Sequence, residues 1–309
     1  MNVSQNKYGL GILMCLIAVL SWGGMFPIMG DALKVMDPFN FTLFRYGLAT
    51  LVLIVLLVGV EGSKKLATDG RLLRVWFLGT MGFTGFSTLV FLGQKLAGSS
   101  GAVIAAVIMA VQPLLGVVVN FVTKRVVPKF VTVIFMLTGL IGVFMVITKG
   151  DVSTLSSGDT NIFSYFLILA GALCFVIYTM GGSSFPHWSP LRYSTVTSIY
   201  GTVSILIIVV VATAFGWLHI PTISMITDVS GAILYTALIA GVVAFFVWNT
   251  GNRMITPING ILFMNMVPVT TFIISVIRGY DLSTFELIGA IITIASLIAN
   301  NLYVRKAAS

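Results

Sequence analysis

Apolar residues along this chain fall into ten long runs, and short polar segments separate one run from the next. A helix rises about 1.5 Å per residue, so about 20 apolar residues in a helix match the thickness of the hydrocarbon core of a bilayer. The pattern therefore predicts an all-α integral membrane protein with ten transmembrane helices. The predicted spans are 8–30, 38–60, 72–94, 99–122, 129–148, 161–182, 191–215, 229–251, 257–277 and 285–303.

Composition agrees with this interpretation and excludes an ordinary soluble domain. Of the 309 residues, 58% are hydrophobic and only 8% are charged, whereas a surface that faces water usually carries many more charges. Cys15 and Cys174 lie inside separate predicted spans, where cysteine acts as a small apolar side chain. Two such cysteines provide no disulfide or metal framework, so the sequence predicts no metal site and no cofactor.

The distribution of lysine and arginine predicts which ends of the spans face the cytoplasm. With the N-terminus inside, twelve of the 17 basic residues fall in cytoplasmic segments and four in outer segments, while Arg45 falls inside the second span. Both termini are therefore predicted to be cytoplasmic, and the chain to cross the cell (inner) membrane many times. The same bias accounts for most of the net charge of +8, so the lipid bilayer is a predicted partner and a nucleic acid is not.

The second half of the chain repeats landmarks of the first half about 150 to 155 residues later. Asp37-Pro38 opens the second run and Ser189-Pro190 opens the seventh. Gln112-Pro113 in the fourth run is matched by Val267-Pro268 in the ninth. The chain is therefore predicted to contain two copies of one structural unit.

Each predicted unit, residues 1–150 and residues 151–309, holds five spans. Because five is an odd number, the second unit must enter the membrane from the opposite side, which makes the repeat an inverted one. Secondary transporters commonly use such a repeat, since two similar halves that exchange conformations open one central site to each face in turn. An ancient duplication without a transport role is the alternative interpretation.

Motifs in both copies resemble the drug/metabolite transporter superfamily, specifically the ten-helix carriers that are built from two EamA repeats. The motifs that carry the resemblance are Leu20–Gly24, Pro38, Phe44–Tyr46, Lys95–Ala102, Pro113 and Gly139–Gly142 in the first copy, and Leu173–Tyr178, Ser189–Leu191, Pro257–Gly260, Val267-Pro268 and Gly289 in the second. The resemblance implies a basket of ten helices around a central cavity, and the export of small metabolites or amino acids.

Acidic residues are placed only in the gaps between the predicted spans or at the span ends, and the two histidines lie in connections. Proton-driven transporters usually keep a carboxyl or imidazole group near mid-membrane. The sequence therefore favours a neutral or zwitterionic solute over a lipophilic cation, and it does not indicate proton coupling through a central carboxylate.

Three polar residues inside the spans are candidate substrate contacts. Arg45 is the only ionisable residue well inside a span, and it is a candidate cation for a substrate carboxylate. Packing against loop carbonyls, or extension of the side chain to the outer surface, is the competing interpretation. Gln112 and Asn265 lie beside two prolines near mid-membrane, and for them a structural hydrogen bond between helices is the competing interpretation.

Aromatic residues and helix-bending residues complete the predicted substrate path. The predicted aromatic lining consists of Trp22, Phe91, Tyr178 and Trp248. The predicted hinge or kink positions are Gly23, Gly24, Pro27, Pro113 and Pro268. Glycine and proline loosen a helix, and proline also frees the carbonyl four residues earlier, so these positions are where a gate would bend.

Other functions were weighed against transport. Gly98–Gly101 fits the G-x-S-G pattern of rhomboid-type serine proteases, but the spans contain no histidine to act as base. The sequence also lacks H-E-x-x-H and a nucleotide-binding P-loop, so neither an enzyme nor an ATPase subunit is indicated. The predicted function is a secondary transporter of a small neutral or zwitterionic metabolite, such as an amino acid or a derivative of one, that works as an exporter by alternating access. A channel-like or structural membrane protein is the alternative.

Overall fold

The computed structural model describes residues 5–125, 127, 129–151 and 162–306, and within these ranges all regular secondary structure is helical. The predicted all-α fold is therefore confirmed for this part of the chain. The first residue of the sixth predicted span and the extreme ends of the chain lie outside the described residues.

The principal helices are labelled α1 to α10 in chain order. The continuous ones are α1 (Gln5–Val35), α2 (Pro38–Glu61), α3 (Leu72–Leu96), α5 (Phe130–Thr148), α6 (Ile162–Gly181), α7 (Pro190–Ala214), α8 (Ser230–Ile255) and α10 (Thr284–Lys306). The interrupted ones are α4 (Gly101–Met109 and Gln112–Lys124) and α9 (Pro257–Gly260, Ile261–Asn265 and Met266–Ile277). Each helix coincides with one of the ten apolar runs.

Six of these helices, α1, α2, α3, α6, α7 and α8, are long and apolar enough to cross a membrane. The two parts of α4 meet the same criterion when they are taken together, although they are bent by 46° at the break between them. The apolar helical stretches in α5, α9 and α10 are shorter. Length and composition therefore support a helical membrane protein with several crossings.

The two Pro landmarks of the sequence begin equivalent helices. Asp37 caps α2, because its carboxylate accepts hydrogen bonds from the backbone N–H groups of Phe39 and Asn40, at 3.0 and 2.9 Å. Ser189 caps α7 by accepting from the N–H of Arg192 at 2.9 Å. In both helices the proline follows the cap at the first helical position, where a missing N–H costs no hydrogen bond.

The contacts between helices follow the repeat. α1 packs on α8 and α6 packs on α3, while α3 packs on α7 and α8 packs on α2. Likewise α1 contacts α9 and α6 contacts α4. The pairs α2 with α7, α4 with α9 and α5 with α10 each join one helix to its counterpart. Adding five to a helix number, or subtracting five, thus reproduces the same set of contacts.

Two of these interfaces need glycine because the backbones touch. A Cβ on Gly79 of α3 would lie 2.2 Å from the carbonyl oxygen of Thr197 in α7, and a Cβ on Gly201 would lie 2.6 Å from the carbonyl oxygen of Gly79. Where α5 crosses α10, a Cβ on Gly142 or on Gly289 would lie 2.5 Å from the carbonyl oxygen of the other glycine. Small residues permit this approach in membranes.

Helices α3 and α8 each contain a π-helical segment, Thr80–Gly85 in α3 and Tyr235–Val243 in α8. A π-turn shifts the backbone hydrogen bond from four to five residues, which exposes carbonyl oxygens to other donors, and such turns occur frequently at functional sites. Hydropathy does not encode this change in hydrogen-bond register. The two segments lie in corresponding helices of the two halves.

Helix α1 remains continuous through the predicted hinge residues. Pro27 removes the N–H that would bond the carbonyl of Gly23, and the Thr271 hydroxyl of α9 donates to that carbonyl at 2.8 Å instead. Gly24 leaves room for the Tyr235 hydroxyl, which lies 2.6 Å from the position of a Cβ there. These glycines therefore serve close packing here, and their bending stays a prediction.

The other two kink residues lie at interruptions of a helix. Pro113 is the second residue after the break in α4, where the helix changes direction by 46°. Pro268 follows the change from a 3-10 turn at Ile261–Asn265 to α-helix at Met266. The two interrupted helices, α4 and α9, pack against each other.

Candidate functional site

The centre of the bundle is filled by aromatic side chains. Trp22 of α1 meets Phe175 of α6 and Phe245 and Trp248 of α8 edge to face, with ring centroids 5.2, 5.6 and 5.2 Å apart. Tyr178 joins the same group through Phe175 and Phe245, at 6.0 and 5.8 Å. We call these five residues the aromatic cluster. Edge-to-face packing of this kind is the favourable geometry for aromatic rings.

This cluster corrects one expectation about the centre. Trp22, Tyr178 and Trp248 do come together, but they pack on each other instead of lining an open space, and Tyr178 and Trp248 are fully buried. The expected central cavity is therefore closed by side chains at the level of Trp22. Phe175 and Phe245 were not predicted as part of the lining, because phenylalanine is common throughout the apolar runs.

Each polar edge in the aromatic cluster has a partner. The Trp22 indole N–H donates to the carbonyl oxygen of Ala240, in the π-helical segment of α8, at 2.9 Å. The Trp248 indole N–H donates to the hydroxyl of Thr179 at 3.2 Å. The Asn249 amide donates to the Tyr178 hydroxyl at 2.8 Å. Satisfied edges fix the orientation of the buried rings.

Phe91 lies apart from the aromatic cluster. Its ring centroid is 6.5 Å from that of Phe41 and 5.5 Å from the guanidinium carbon of Arg45. On α3, Phe91 therefore lies beside Arg45 and not among the rings that surround Trp22. The sequence analysis grouped it with Trp22 because hydropathy alone does not show which face of a helix a residue occupies.

Arg45 is completely buried, so its side chain does not extend to the outer surface as one form of the competing interpretation required. Its Nε–H donates to the carbonyl oxygen of Thr236, in the π-helical segment of α8, at 3.0 Å. Its guanidinium carbon lies 4.6 Å from the ring centroid of Tyr46. Nη1 and Nη2 have no hydrogen-bond partner, and among the described residues no carboxylate lies within 4.0 Å of the guanidinium.

Gln112 and Asn265 are both buried at the interrupted helices. The Gln112 amide contacts the sulfur of Met109 at 3.1 Å, and its carbonyl oxygen has no partner. Neither polar atom of the Asn265 side chain has a partner. The competing interpretation, a structural hydrogen bond between helices, is therefore not realised by these atoms within the described part of the chain. A buried polar group without a partner costs about 1–3 kcal/mol, which is unusual outside functional sites.

A cavity of about 580 Å³ opens at one end of the bundle, and we call it the outer cavity. It lies between the C-terminal ends of α1, α3 and α9 and the start of α4. Its polar lining includes Asp31, Gln94, Lys95, Arg278 and Tyr280. By the predicted orientation, this end faces away from the cytoplasm.

A second cavity of about 320 Å³, the inner cavity, lies between the C-terminal ends of α6 and α8 and the starts of α7 and α9. Its polar lining includes Thr179, Tyr193, Asn249, Asn252 and Arg253. Three of these four helices are counterparts of helices around the outer cavity, since α6 corresponds to α1, α8 to α3 and the start of α9 to the start of α4. The fourth helix differs, because α7 completes the inner cavity and the C-terminal end of α9 completes the outer one.

The two cavities lie at opposite ends of α1. Near its N-terminal end, Cys15 packs against Gly251, one residue from the inner cavity, and a Cβ on Gly251 would lie 2.7 Å from the Cys15 sulfur. Near its C-terminal end, Lys34 lines the outer cavity. Cys15 and Lys34 are 19 positions apart, which corresponds to about 28 Å of helix. Trp22 and the aromatic cluster lie between the two ends.

Corresponding residues form corresponding parts of the two cavities. Gly93-Gln94-Lys95 ends α3 at the outer cavity, and Gly251-Asn252-Arg253 ends α8 at the inner cavity. A Cβ on Gly93 would strike Ser164 and Ile168 of α6, just as one on Gly251 would strike Gly11 and Cys15 of α1. In each triplet a small residue packs on the neighbouring helix, a buried carboxamide follows, and an exposed cation lines the cavity.

Gln94, Asn249 and Asn252 were not among the predicted substrate contacts. Asn249 is in fact only 7% exposed, and its amide donates to Ser194 at 2.8 Å as well as to Tyr178. The carboxamide oxygens of Gln94 and Asn252 are buried without partners. Gln94 and Asn252 could have been found by aligning the two halves, because Gly93-Gln94-Lys95 corresponds to Gly251-Asn252-Arg253 in the repeat. These residues lie near helix ends, where polar side chains usually face lipid headgroups.

Charged contacts connect the helices at both ends. At the outer end, Arg278 of α9 pairs with Asp31 of α1 at 2.5 Å and donates to the carbonyl of Pro27 at 3.0 Å. At the inner end, Arg192 of α7 pairs with Asp69 at 2.8 Å. The Arg192 guanidinium and the Trp188 indole donate to the Asp69 carboxylate, and they hold its pKa below the ordinary value for aspartate.

Glu286 is the one fully buried acid within the described ranges, and its place at the start of α10 accounts for its burial. Its carboxylate accepts from the backbone N–H of Ser283 at 2.9 Å, and the Ser283 hydroxyl accepts from the N–H of Glu286 at 3.1 Å. This reciprocal pair is a capping box at the start of α10. Lys149 lies 3.7 Å from the same carboxylate. Glu286 thus has a structural role, away from the aromatic cluster.

A model of the EamA-like transporter family matches residues 9–148 and 162–302 of this chain. The chain is 41% identical to YrdR of Bacillus subtilis (strain 168), described as an uncharacterized transporter, over 98% of this chain and 95% of that protein. It is 30% identical to YyaM of the same organism, also described as an uncharacterized transporter, over 89% and 88% of the two chains.

A solved crystal structure, described only as that of a protein, has a similar fold. The TM-score is 0.67 at 19% sequence identity, and the match covers 97% of this chain and 99% of the other. At this identity the similarity concerns the fold alone. It extends over both halves of the chain.

Proposed function

The chain belongs to the EamA-like transporter family, and on that premise we propose that this multi-pass membrane transporter is a secondary carrier, which exports a small neutral or zwitterionic metabolite by alternating access. An amino acid or a derivative of one fits this description. The proposed architecture is ten transmembrane helices in the inner membrane, arranged as inverted halves at 1–150 and 151–309, with both termini in the cytoplasm. The exchange of helix contacts between the halves supports this arrangement.

The observation that carries the proposal is the pair of matched cavities on either side of the aromatic cluster. A carrier must offer its substrate a way in from each face but never an open path through the membrane. Three helices of the outer cavity correspond to three helices of the inner cavity, and Trp22 of the cluster lies on α1 between the two ends. Opening one cavity down to the cluster while the other closes would produce alternating access.

Proposed substrate contacts are the buried polar atoms around the cluster that lack partners. Gln112 and Asn265 lie on α4 and α9, which contact each other and which also contact α6 and α1. To admit the solute, the rings of Trp22, Tyr178 and Trp248 would move apart. The Phe91 ring would likewise move away from Arg45. Because described acids lie at the helix ends, the lining favours a solute without net positive charge.

Transport by purified protein in liposomes tests the proposal. Labelled amino acids are supplied outside, with and without an imposed pH gradient, and uptake is measured against empty liposomes. A carrier gives saturable uptake that is accelerated by unlabelled substrate inside, whereas a channel gives neither. Uptake that rises linearly with concentration and ignores internal substrate would rule out a carrier.

The inverted arrangement has its own test. Ser99 lines the outer cavity and Ser183 lines the inner cavity, and both residues are exposed. In a background in which Cys15 and Cys174 are replaced by alanine, Ser99→Cys should react with a membrane-impermeant maleimide only in right-side-out vesicles. Ser183→Cys should react only in inside-out vesicles. Reaction of both from the same side would contradict the inverted repeat.

A further inference from the structure

Arg45 carries a buried charge that the protein does not neutralise. Arginine keeps its proton even in apolar surroundings, so the guanidinium stays cationic inside the bundle. It is fully buried in α2, and only its Nε–H has a partner, the carbonyl oxygen of Thr236. An unpaired charge at such a place is costly, and charged residues inside membrane helices commonly mark substrate or ion pathways.

The neighbours of Arg45 orient its free donors. Its guanidinium carbon lies 4.6 Å from the ring centroid of Tyr46 and 5.5 Å from that of Phe91, as in cation–π contacts. The Tyr46 and Phe91 rings restrict the orientation of the guanidinium group, but they accept no hydrogen bond from its N–H groups, which lie in the guanidinium plane. Nη1 and Nη2 therefore present a fork of donors, which matches the two oxygens of a carboxylate.

Thr42 provides a second free donor on the same face of α2, three residues before Arg45. Threonine in a helix often donates to the carbonyl four residues earlier, as Thr195 does to Leu191 at 2.8 Å. The hydroxyl of Thr42 makes no such bond, although it is fully buried. Arg45 and Thr42 thus leave three buried polar atoms unused within one helical turn.

This place lies between the outer cavity and the aromatic cluster. On α3, Gln94 lines the outer cavity, and Phe91, one turn deeper, covers Arg45. On the other side, the Tyr46 ring lies 6.3 Å from that of Phe245 in the cluster. Displacement of the Phe91 ring would connect the guanidinium with the outer cavity.

We propose that the guanidinium of Arg45 and the hydroxyl of Thr42 form a binding site for a carboxylate group of the transported solute, covered by Phe91 on the side of the outer cavity. This inference rests on the proposed function and narrows its substrate class, because amines, amides and polyols without a carboxylate are excluded. One cation matches one monovalent carboxylate, whereas a phosphate dianion would leave excess negative charge buried.

The first test measures binding without transport. Thermal unfolding of the purified protein in detergent is followed with L-leucine, L-leucinamide, isoamylamine or inorganic phosphate, and with the L-phenylalanine, L-phenylalaninamide and phenethylamine series. At least one acid should raise the midpoint, while its amide, its amine and phosphate should not. Equal shifts from an acid and its amide, a shift from phosphate alone, or no shift from either acid would overturn the site.

Variants of Arg45 and Thr42 then test whether these two side chains cause the shift of the unfolding midpoint that the acid produces. Arg45→Gln and Arg45→Lys should weaken binding of the acid about tenfold or more, the lysine variant less strongly, since a charge-assisted pair is lost or loses its fork. Arg74→Gln, a change of an exposed arginine at the start of α3, is the matched control and should bind like the wild type. Unchanged affinity for the acid in Arg45→Gln would overturn the assignment.

Thr42→Val tests the same site with a variant that is not expected to impair folding, as the Arg45 variants could. The hydroxyl makes no hydrogen bond within the protein, so its removal should leave the unfolding midpoint without ligand unchanged and still weaken acid binding several-fold. Equal affinity in Thr42→Val and the wild type would remove Thr42 from the site. If acids bind but liposomes show no transport, the proposed function fails and the carboxylate site stands.

Discussion

The indole N–H of Trp22 donates to the main-chain carbonyl oxygen of Ala240 over 2.9 Å, and so joins the middle of α1 to the π-helical segment of α8. Ala240 lies within this segment, where the backbone hydrogen bonds follow the π register instead of the α register. The bond orients the ring that touches Phe175, Phe245 and Trp248. One hydrogen bond therefore links the backbone irregularity of α8 to the packing of the aromatic cluster.

Trp22→Phe keeps a ring at this place but removes the donor. We expect the free energy of unfolding to fall by about 1 kcal/mol, because the Ala240 carbonyl loses a buried partner. We also expect slower uptake in liposomes, because the ring is no longer held in one orientation. Thermal unfolding in detergent and initial uptake rates measure these effects. Trp217→Phe, at a highly exposed tryptophan, is the control and should change neither quantity.

Gln112→Ala and Asn265→Ala should lower uptake without lowering the amount of protein in the membrane. Removing side chains whose buried atoms have no partners costs the folded protein little, but it removes proposed contacts with the solute. Uptake is normalised to protein content by immunoblot. Asn120→Ala, further along α4 at a partly exposed position, is the control. Full activity of both variants would remove these residues from the site.

Gly79→Ala should destabilise the contact between α3 and α7. The new Cβ would lie 2.2 Å from the carbonyl oxygen of Thr197, so the backbones must separate, at a cost of about 1–3 kcal/mol. A lower unfolding midpoint in detergent is the expected result. Gly47→Ala in α2 is the matched control, because nothing lies within 4 Å of a Cβ there. Equal midpoints for the two variants would show that α3 and α7 do not touch at Gly79.

Arg278→Gln should open the outer end of the transporter. The Arg278–Asp31 pair joins α9 to α1, and its loss leaves the C-terminal end of α1 free to move away. We expect faster labelling of Ser99→Cys from outside. Lys34→Gln is the control, because Lys34 pairs with Asp31 within α1 itself and joins no second helix. Equal labelling rates for both variants would contradict a gating role for Arg278.

Asp69→Asn should lower thermal stability at neutral pH, and the difference from the wild type should disappear in acid. Hydrogen bonds from Arg192 and Trp188 depress the pKa of Asp69 in the folded protein below the ordinary value of 3.8. A depressed pKa stabilises the fold at pH values above the ordinary pKa, and this contribution is lost as the pH falls through the folded value. Unfolding midpoints between pH 7 and pH 3 follow the effect, which solvent exposure keeps small. A difference that stays constant over this range would contradict the linkage.

The fold was largely predictable because its main signals are local. Apolar runs of about 20 residues placed the helices, and Asp37-Pro38 and Ser189-Pro190 marked the starts of α2 and α7 correctly. The π-helical segments were not predictable, since a change in hydrogen-bond register leaves hydropathy unaltered. The break in α4 was predictable from Pro113, while the continuity of α1 through Pro27 depends on a hydroxyl from a distant helix, that of Thr271.

The candidate site was predictable only in part. The structure brings Trp22, Tyr178 and Trp248 into one cluster, as the sequence analysis grouped them, but their contact with a solute stays a prediction. Phe91 belongs instead to the surroundings of Arg45, and this distinction depends on which face of α3 turns toward α2. Asn249 was not predicted because it lies near the end of its apolar run, whereas in the structure it is buried and lines the inner cavity.

The five interlocked rings around Trp22 also have an electrical consequence. In the proposed carrier, water would enter both the outer and the inner cavity. A continuous file of water through the aromatic cluster between them would conduct protons and dissipate the membrane potential. Trp22 meets Phe175, Phe245 and Trp248 edge to face, and these ring contacts provide no hydrogen-bonding groups for a proton to follow. In the proposed carrier, the aromatic cluster would thus prevent a proton leak between one transport event and the next.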